Sequence, residues 1–568
     1  MPLTQRIRCH LSGDGRDLVA GADLLLEPPA RHLVTAPEGA VLDDLLTAAD
    51  RAEVTREALD RLAAWRDAHD QELTLDGICL PWVWDYELLA EVFLPEVRMV
   101  AALLRVLGRS EVREVELHGA DPEAAMCLAA ALRSARLEVE VHGTDQPAPA
   151  YPGRRANPWR RSLVARVRHA AIRAWGIPPL VRGNVFVLPY WHVFGLHRRL
   201  LVEPGLLPLY DPFRVPPGKL RERVCMVAAG GWTGRPNAVQ IRRSRVRVRR
   251  ALKRLGPVVA DTADPLGTLL DTRARRLLDQ RAGETPALAH SIERSLRRPQ
   301  VRGVLLSFDS PPDARTVLAA ARAAGRPSLV VQHGFWAEPN DPDKTEADVA
   351  AVWSERVRDE LAPRRRGPIV VTGNPGVEHL RPHRRMRTDC TLVMPEYPSR
   401  VSLWVDVRVT MRFFEVVLEG LRQTRAGSVA LLRPHPADHD LHAYEGLAAR
   451  FPELQLEIDA VSPIDDLIAR CDLCLSGVST ATLQAGMAGL PVVFVNVARV
   501  RRPWPFDGAS NSLPMATDTN ELVGEIPRAL GRRGKLPSPI MSEALGVRPG
   551  AQDRVVVTLR DLVDGRLA

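Results

Sequence analysis

The chain reads LLRPHPAD over Leu431–Asp438 and CDLCLSGVSTATLQAGMAGLPVVFVN over Cys471–Asn496. Short apolar runs in both stretches end in polar residues, first at Arg433 and later at Ser479 and Thr480. Continuous apolar runs are typical of parallel strands, because both faces of a parallel sheet are buried. Ligands of open α/β sheets bind beyond the carboxyl ends of such strands. The two stretches therefore predict one wall of a phosphate-binding cleft, and the rest of the chain must supply the other.

Composition indicates a soluble globular protein of several domains. The chain has 568 residues, of which 45% are hydrophobic and 26% are charged. A single core does not grow to this size, so we expect about three domains of ~100–200 residues. No apolar run reaches the ~18 residues that a membrane span needs. The first residues contain no apolar signal-peptide core. We therefore expect a cytoplasmic protein, held at the inner face of the membrane if it contacts lipid at all.

Seven cysteines are scattered along the chain, at positions 9, 79, 127, 225, 390, 471 and 474. An odd, sparse set is not a disulfide framework and indicates a reducing compartment. Cys471 and Cys474 form the one close pair, and no further pair follows at the spacing of a zinc site. We predict that both are small core residues, with a metal or redox role as the alternative.

The positive charge is concentrated in two segments, within a formal net charge of +8. Residues 151–182 carry eight arginines and no acid, and residues 242–254 carry eight basic residues and no acid. Such segments favour anionic partners. Within the first, apolar residues recur at helical spacing over 157–175, which predicts a basic amphipathic helix. This helix either lies on an anionic membrane or packs its apolar stripe against a domain.

The order of strand-like and helix-like segments predicts two doubly wound α/β domains after an accessory domain. We predict an N-terminal α/β accessory domain over 1–150, a linker over 151–182, α/β domains over 183–367 and 368–530, and a helical tail over 531–568 that packs back.

The predicted phosphate wall combines rigid and cationic groups. Ser479 and Thr480 lie where a strand gives way to a helix, and a helix N-terminus favours an anion. Plain N-capping explains these hydroxyl residues equally well. His435 is expected at the end of the neighbouring strand, held between Pro434 and Pro436. Arg433 adds a charge that can pair with phosphate.

The opposite wall is predicted to supply a general base. The strand-like run before Asp309 and the one before His333 are joined by one helix, so both residues should reach the same sheet edge. An imidazole can accept a hydroxyl proton near neutral pH. Asp309 is the rival base, the partner that orients His333, or a turn and capping residue.

Four motifs in this order resemble GT-B glycosyltransferases: Gln332–Gly334, Thr372–Pro375, Arg433–Pro436 and Ser476–Pro491. More narrowly, the chain resembles bacterial sialyl- and polysialyltransferase-like enzymes, capsule or lipopolysaccharide sugar transferases, and teichoic-acid glycerophosphotransferases. The resemblance covers roughly residues 300–500.

The resemblance assigns roles to particular residues. It implies that His435-Pro436 and Ser479-Thr480 hold a cytidine nucleotide's phosphate, and that His333 before its glycine is the base. Gly373 and Asn374 would open the nucleotide-binding domain, 368–530, with the acceptor bound by 183–367. Gln484 stands near the position where many relatives carry a ribose-binding glutamate.

The resulting hypothesis is a GT-B-like, metal-independent glycosyltransferase with a nucleotide-sugar donor, CMP-sugar favoured, and no cofactor. The acceptor would be a bacterial surface polysaccharide or a glycolipid. One alternative is a nucleotide-sugar 2-epimerase or a CDP-glycerol-type glycerophosphotransferase. Another is a non-catalytic protein that binds acidic glycan or nucleic acid, although the sequence contains no recognised nucleic-acid motif.

Overall fold

The computed structural model describes most of the chain in segments. The described residues are 6–10, 23–25, 46–110, 112–118, 122–142, 184–188, 196, 199–200, 202–203, 205–206, 208–210, 236–258, 261, 263–335, 345–377, 389–396, 407–435, 444, 446–447, 450–499, 502–531 and 539–567. The predicted linker 151–182, with its amphipathic helix 157–175, and Pro436 lie outside these residues.

The N-terminal unit contains a parallel sheet of four strands in the order β2-β1-β5-β6 and an antiparallel pair, β3-β4. Its elements are β1 (Arg6–His10), β2 (Asp23–Leu25), α1 (Ala48–His69), β3 (Thr74–Leu75), β4 (Ile78–Cys79), α2 (Leu80–Val83), α3 (Asp85–Leu88), α4 (Leu94–Gly108), β5 (Glu114–His118), α5 (Pro122–Ser134) and β6 (Glu138–His142). Helix α1 begins where Thr47 and Asp50 each accept the other's backbone N–H, a reciprocal cap that satisfies two otherwise unpaired donors.

A second sheet has six parallel strands in the order β12-β11-β10-β9-β7-β8. Its segment contains β7 (Val185–Leu188), β8 (Pro208–Tyr210), α6 (Ala238–Arg254), α7 (Pro265–Arg281), α8 (Thr285–Leu296), β9 (Gly303–Leu306), α9 (Pro312–Ala323), β10 (Ser328–Val331), β11 (Val349–Val352), α10 (Glu355–Leu361) and β12 (Ile369–Val371). The sheet therefore extends beyond the predicted limit at residue 367, because β12 pairs with β11.

Helices α6 and α7 share one hydrophobic core with the N-terminal unit rather than covering the second sheet. Val248 of α6 and Leu277 of α7 are fully buried in that core. The fully buried Arg273 of α7 reaches Glu96 of α4 at 3.2 Å and Glu123 of α5 at 3.1 Å. The core thus crosses the predicted boundary between the first two domains.

A third sheet has six parallel strands in the order β15-β14-β13-β16-β17-β18. Its segment contains β13 (Cys390–Met394), α11 (Val407–Thr424), β14 (Val429–Leu432), β15 (Gln455–Ile458), α12 (Ile464–Arg470), β16 (Leu473–Ser476), α13 (Thr480–Met487), β17 (Val492–Val495), β18 (Met515–Ala516), α14 (Thr519–Gly531), α15 (Pro539–Ala544) and α16 (Ala551–Val563). In chain order this is the 3-2-1-4-5-6 arrangement of nucleotide-binding α/β domains. Cys471 and Cys474 are fully buried in its core, as predicted.

The strand order corrects one expectation about the phosphate wall. His435 follows β14, and Ser479 follows β16, but β13 lies between these two strands. Strands are ~4.8 Å apart, so the two strand ends are separated by roughly 10 Å instead of being neighbours. The chain runs outward from β13 to β14 and β15 and then returns to its other side, which creates a crevice beyond the carboxyl end of β13.

The C-terminal helix crosses back to the second sheet. Val555, Val556 and Leu559 of α16 pack in one core with strands β7, β9, β10 and β11. The opposite face of that sheet is covered by α8 and α9. Strands β9, β10 and β11 of the second sheet are thus buried on both faces, which agrees with their mainly apolar sequences.

The basic segment 242–254 forms most of α6, and acidic residues of neighbouring segments pair with it. Arg245 pairs with Glu284, Arg247 with Asp76, and Arg249 with Asp279. This arrangement leaves less free positive charge than the sequence predicts. Within the described segments, no helix has the length and hydropathy needed to cross a bilayer.

Candidate functional site

The second sheet brings His333 to its carboxyl edge. Strand β10 ends at Val331, and the chain continues through Gln332 to His333, which is half-buried. The ring of His333 packs against Phe308, which follows the adjacent β9, with 4.2 Å between ring centroids. His333 is thus placed by two neighbouring strands at the carboxyl edge of the second sheet.

Gln332 holds the turn that presents His333, and sequence reasoning did not single it out for this role. Its side-chain amide donates to the Gly334 carbonyl at 3.0 Å, while its side-chain oxygen accepts the Trp353 backbone N–H at 3.0 Å. The Trp353 indole N–H donates back to the Gln332 carbonyl at 2.9 Å. Because Gln332 and Trp353 are almost fully buried, these contacts fix the backbone on both sides of His333.

Asp309 lies at the same edge but is anchored to backbone. Its Oδ2 accepts the N–H groups of Glu346, at 2.5 Å, and Ala347, at 3.1 Å. The residue is 3% exposed, and burial raises the pKa of its carboxyl to about 6 despite these two hydrogen bonds. A buried carboxylate engaged in this way positions the chain that enters β11. The geometry therefore favours His333 over Asp309 as the base, a role that stays a prediction for both.

The third sheet places the N-terminus of α13 beside the chain that follows β10. Ser479 caps this helix, because its hydroxyl accepts the Ala481 N–H at 3.1 Å. The hydroxyl of Thr480 instead accepts the Phe335 N–H at 2.9 Å. Phe335 lies two residues after His333, so this hydrogen bond joins the edges of the two sheets. Gln484 is half-buried on the second turn of the same helix.

Aromatic contacts reinforce the junction. The Phe335 ring packs edge-on against Phe506, with 5.3 Å between centroids, and Phe506 packs in turn against Phe494 of β17 at 5.0 Å. Phe506 is fully buried. The predicted base and the predicted phosphate-binding helix are therefore held together by packing as well as by the Thr480 hydrogen bond.

The floor of the crevice beyond β13 contains a buried ion pair that the sequence did not reveal. Arg502 donates to Glu396 with 2.8 Å between Nη2 and Oε2, and the side chain of Arg502 is 2% exposed. Its Nε and Nη1 have no hydrogen-bond partner among the described residues. A buried guanidinium with unused donors can bind an anion strongly, since hydrogen bonds to charged groups strengthen when water is excluded.

Gly477 allows Glu396 to approach the α13 N-terminus. A side chain at Gly477 would meet the Glu396 backbone nitrogen at 2.7 Å, a distance that only glycine permits. Gly477 precedes Ser479 by two residues, so the Arg502–Glu396 pair and the helix N-terminus lie close together. No local motif marks Arg502, because its partner is 106 residues away in the sequence.

Arg433 and His435 follow β14 on the far side of β13. Arg433 is half-buried and donates to the Asp459 carbonyl at 2.9 Å. Its burial lowers the pKa of its guanidinium. His435 is exposed at the rim of the crevice. These residues flank β13 on one side and Ser479 flanks it on the other, which is the arrangement expected around a switch-point ligand.

Gly373 and Asn374 lie at the connection between the second and third sheets. Gly373 has φ +81°, a left-handed conformation that suits glycine. The Asn374 side chain accepts the Gly376 N–H at 2.9 Å, and its backbone donates to Gly546 at 2.8 Å. These contacts stabilise the connection by themselves, and nucleotide binding by either residue stays a prediction.

Other possible ligand positions lie away from these residues. A cavity of about 340 Å³ opens beyond β11 and is lined by residues that include Ser354, Arg356, Gly546 and Arg548. It contains none of the predicted site residues. Among the described residues, the side chains grouped closely enough to hold a metal ion are Glu116, His118 and His142 of the N-terminal sheet.

Two parallel α/β sheets with apposed carboxyl edges, joined by a final helix that returns to the earlier sheet, define a GT-B-like α/β protein. No protein-family model and no curated protein sequence matches the chain. Among solved structures, the chain is similar to the UDP-GlcNAc 2-epimerase from Neisseria meningitidis bound to UDP-GlcNAc. The identity is 12%, the alignment covers 66% of this chain and 99% of that chain, and the TM-score is 0.41.

Two further solved structures show similarly low identity and TM-scores. MurG from Acinetobacter baumannii shows 13% identity over 67% of this chain and 99% of its own, with a TM-score of 0.36. The UDP-N-acetylglucosamine 2-epimerase from Rickettsia bellii shows 11% identity over 68% of this chain and 97% of its own, with a TM-score of 0.38. The class of this protein is defined by its own sheet topology rather than by these distant similarities.

Proposed function

We propose that the protein is a glycosyltransferase that transfers a sugar from a nucleotide-activated donor, with a CMP-sugar favoured, to a hydroxyl of a bacterial surface polysaccharide or glycolipid. The observation that carries the proposal is the hydrogen bond from Phe335 to the Thr480 hydroxyl. It holds the His333 edge of the second sheet against the helix N-terminus of the third sheet. We assign the candidate base and the candidate phosphate site to the two sides of this junction.

The proposed reaction uses both walls. His333 takes the proton from the acceptor hydroxyl as that oxygen bonds to the anomeric carbon of the donor sugar. The bond between the anomeric carbon and the phosphate oxygen breaks, and its electron pair leaves with the nucleotide. The α13 N-terminus at Ser479, together with Arg433, His435 and Arg502, stabilises the charge that develops on the leaving phosphate.

No step in this scheme requires a metal or a cofactor, so we propose metal-independent transfer. Activity that remains after treatment with a chelator supports metal independence, and activity that the chelator removes contradicts it. The cytoplasmic location, with peripheral membrane contact through residues 157–175, belongs to the same proposal, because an anionic surface would bring the enzyme to a lipid-linked acceptor.

A thermal-shift screen of the full-length protein with CMP, CDP, UDP and GDP tests nucleotide binding. We expect the largest shift with CMP and a reduced shift in Ser479→Ala. The matched control is Thr47→Ala, which removes an N-cap hydroxyl from α1 in another domain. Both variants lose a cap worth about 1 kcal/mol, so only the nucleotide effect should differ.

Product analysis with CMP-, CDP- and UDP-activated donors then separates transferase, epimerase and glycerophosphotransferase activities. A new glycosidic product supports the proposal. A 2-epimerised donor or a glycerophosphate ester assigns the alternative enzymes. Salt-sensitive binding of duplex DNA without any nucleotide-dependent shift contradicts an enzymatic role.

A further inference from the structure

Three strands of the N-terminal sheet end in histidine at the same level. Strand β1 reads RIRCH, β5 reads EVELH and β6 reads EVEVH. The strands are parallel neighbours, and the register pairs His10 with His118 and His118 with His142. The carboxyl edge of this sheet therefore carries a row of three histidine positions, a feature that the glycosyltransfer proposal does not use.

On β5 and β6 the histidines lie on the solvent-facing side of the sheet. In β5 the alternate residues Val115 and Leu117 are buried, whereas Glu116 and His118 are half-buried. In β6 the residue His142 is exposed. The period of two along a strand explains this division, because successive side chains point to opposite faces. The polar side chains are thus accessible to a small ligand.

The side chains of His118 and His142 already converge with that of Glu116. The rings of His118 and His142 are stacked with 4.9 Å between centroids, and the His118 Nε2 lies 3.1 Å from Glu116 Oε2. One ligand atom from each of Glu116, His118 and His142 lies within 4.8 Å of the others. Tetrahedral coordination with bonds of ~2.1 Å places ligand atoms roughly 3.4 Å apart, so shifts of about 1 Å in these accessible side chains would complete the geometry.

We propose that Glu116, His118 and His142 form a binding site for a divalent transition-metal ion of the Zn²⁺ class. Two imidazole nitrogens and one carboxylate oxygen are the donor set that such ions prefer, and water can fill a fourth position. The ion would bridge β5 and β6 and so strengthen the edge of the sheet. His10 occupies the next in-register position on β1 and is the nearest backbone position for a further ligand.

Arg6 competes with this ion for the carboxylate of Glu116. Its Nε pairs with Oε1 of Glu116, and its Nη2 lies 3.3 Å from Glu140. The guanidinium therefore holds Glu116 through one oxygen, while the other oxygen faces His118. Removal of the guanidinium frees the carboxylate and removes a positive charge, so the site should bind a cation more tightly.

The test is a Zn²⁺ titration of tag-free, full-length protein after treatment with a chelator, measured by calorimetry and by competition with a chromogenic indicator. We expect one high-affinity equivalent in the wild-type protein. Loss of a residue that only supports a metal ligand weakens metal binding by roughly tenfold or more. His118→Gln and His142→Gln remove a ligand itself, so each should weaken Zn²⁺ binding at least that much. Co²⁺ should show the visible absorption of a low-symmetry site in the wild-type protein and lose it in both variants.

The matched control is His290→Gln. His290 is an exposed histidine on α8 whose Nδ1 lies 3.6 Å from Glu293, so it forms a histidine–carboxylate pair without a second imidazole. Its loss should leave Zn²⁺ affinity unchanged. Arg6→Gln should raise the affinity, and the added change His118→Gln should abolish that gain. Misfolding would expose the buried cysteines, which bind Zn²⁺ whether or not His118 is present. A gain that disappears with His118→Gln therefore belongs to the proposed site.

The proposal is overturned if the wild-type protein binds no Zn²⁺ equivalent, or if His118→Gln and His142→Gln bind as the wild-type protein does. It is also overturned if His290→Gln weakens binding equally, because surface histidines would then bind the ion without a defined site. These results do not depend on transferase activity, since the residues lie on a different sheet from the cleft.

Discussion

Replacement of Asp309 by asparagine separates an anchoring role from a catalytic one. The Asp309 carboxyl accepts two backbone N–H groups and is 3% exposed, and burial raises its pKa from 3.8 to about 6. A raised carboxyl pKa means that the folded state binds the proton more tightly than the unfolded state does. The unfavourable contribution of ionised Asp309 to stability should therefore shrink as pH falls through 6 towards 4, and return as pH rises.

The size of the effect follows from the difference of about two pKa units, each of which corresponds to ~1.4 kcal/mol. Ionised Asp309 should lower the unfolding free energy by roughly 3 kcal/mol above pH 7. The change Asp309→Asn keeps an oxygen that can accept the backbone N–H groups and removes the charge. We expect the variant to be the more stable protein at pH 8, by up to about 3 kcal/mol, and the two to be equal near pH 4.

The assay is urea unfolding at pH 8, 6 and 4.5, followed by fluorescence and circular dichroism, with Asp313→Asn as the control from the following helix. If the variant is less stable than wild type at pH 8 and recovers at low pH, the charge is stabilising and the reasoning is wrong. Turnover measured in parallel assigns the base. Retained turnover leaves this role to His333, while lost turnover with intact nucleotide binding gives it to Asp309.

Substitutions at three further residues test the proposed site. Thr480→Val removes the acceptor for the Phe335 N–H, so it should destabilise the junction by about 1 kcal/mol and lower turnover. Thr480→Ser keeps the acceptor, so its melting temperature and its turnover should equal those of the wild-type protein. Arg502→Lys keeps a charge near Glu396 but removes the planar set of donors, so calorimetry should show nucleotide affinity reduced by about tenfold or more; unchanged affinity would exclude Arg502 from the site. His333→Ala should abolish turnover while it preserves the thermal shift with nucleotide, and a lost shift would instead place His333 in the binding site.

Local pattern predicted the parts of this protein that depend on local chemistry. The apolar runs at β14, β16 and β17 are strands, and their continuous hydrophobicity reports burial on both faces. Ser479 begins a helix because its hydroxyl can cap the next N–H groups, a preference that acts within three residues. The position of His333 after a strand is also predicted locally, because the apolar run of β10 ends just before it.

The order of strands was not determined by such patterns. The sequence pattern predicts His435 on the strand next to that of Ser479, yet β13 separates the two strands. Burial makes a strand apolar whichever neighbour it pairs with, so hydrophobicity does not encode the partner. The limit placed at residue 367 has the same cause, because β12 reads as an ordinary apolar strand although its partner is β11.

Parallel α/β units with polar groups at their strand ends can be predicted from the sequence alone, because these features depend on burial, capping and glycine turns within short windows. The pairs of residues that meet are visible only in the folded protein: Arg502 with Glu396 across 106 residues, Thr480 with Phe335 across 145, and His118 beside His142. Such contacts arise from the path of the crossover helices and from the packing of the whole core, which no local segment of the sequence specifies.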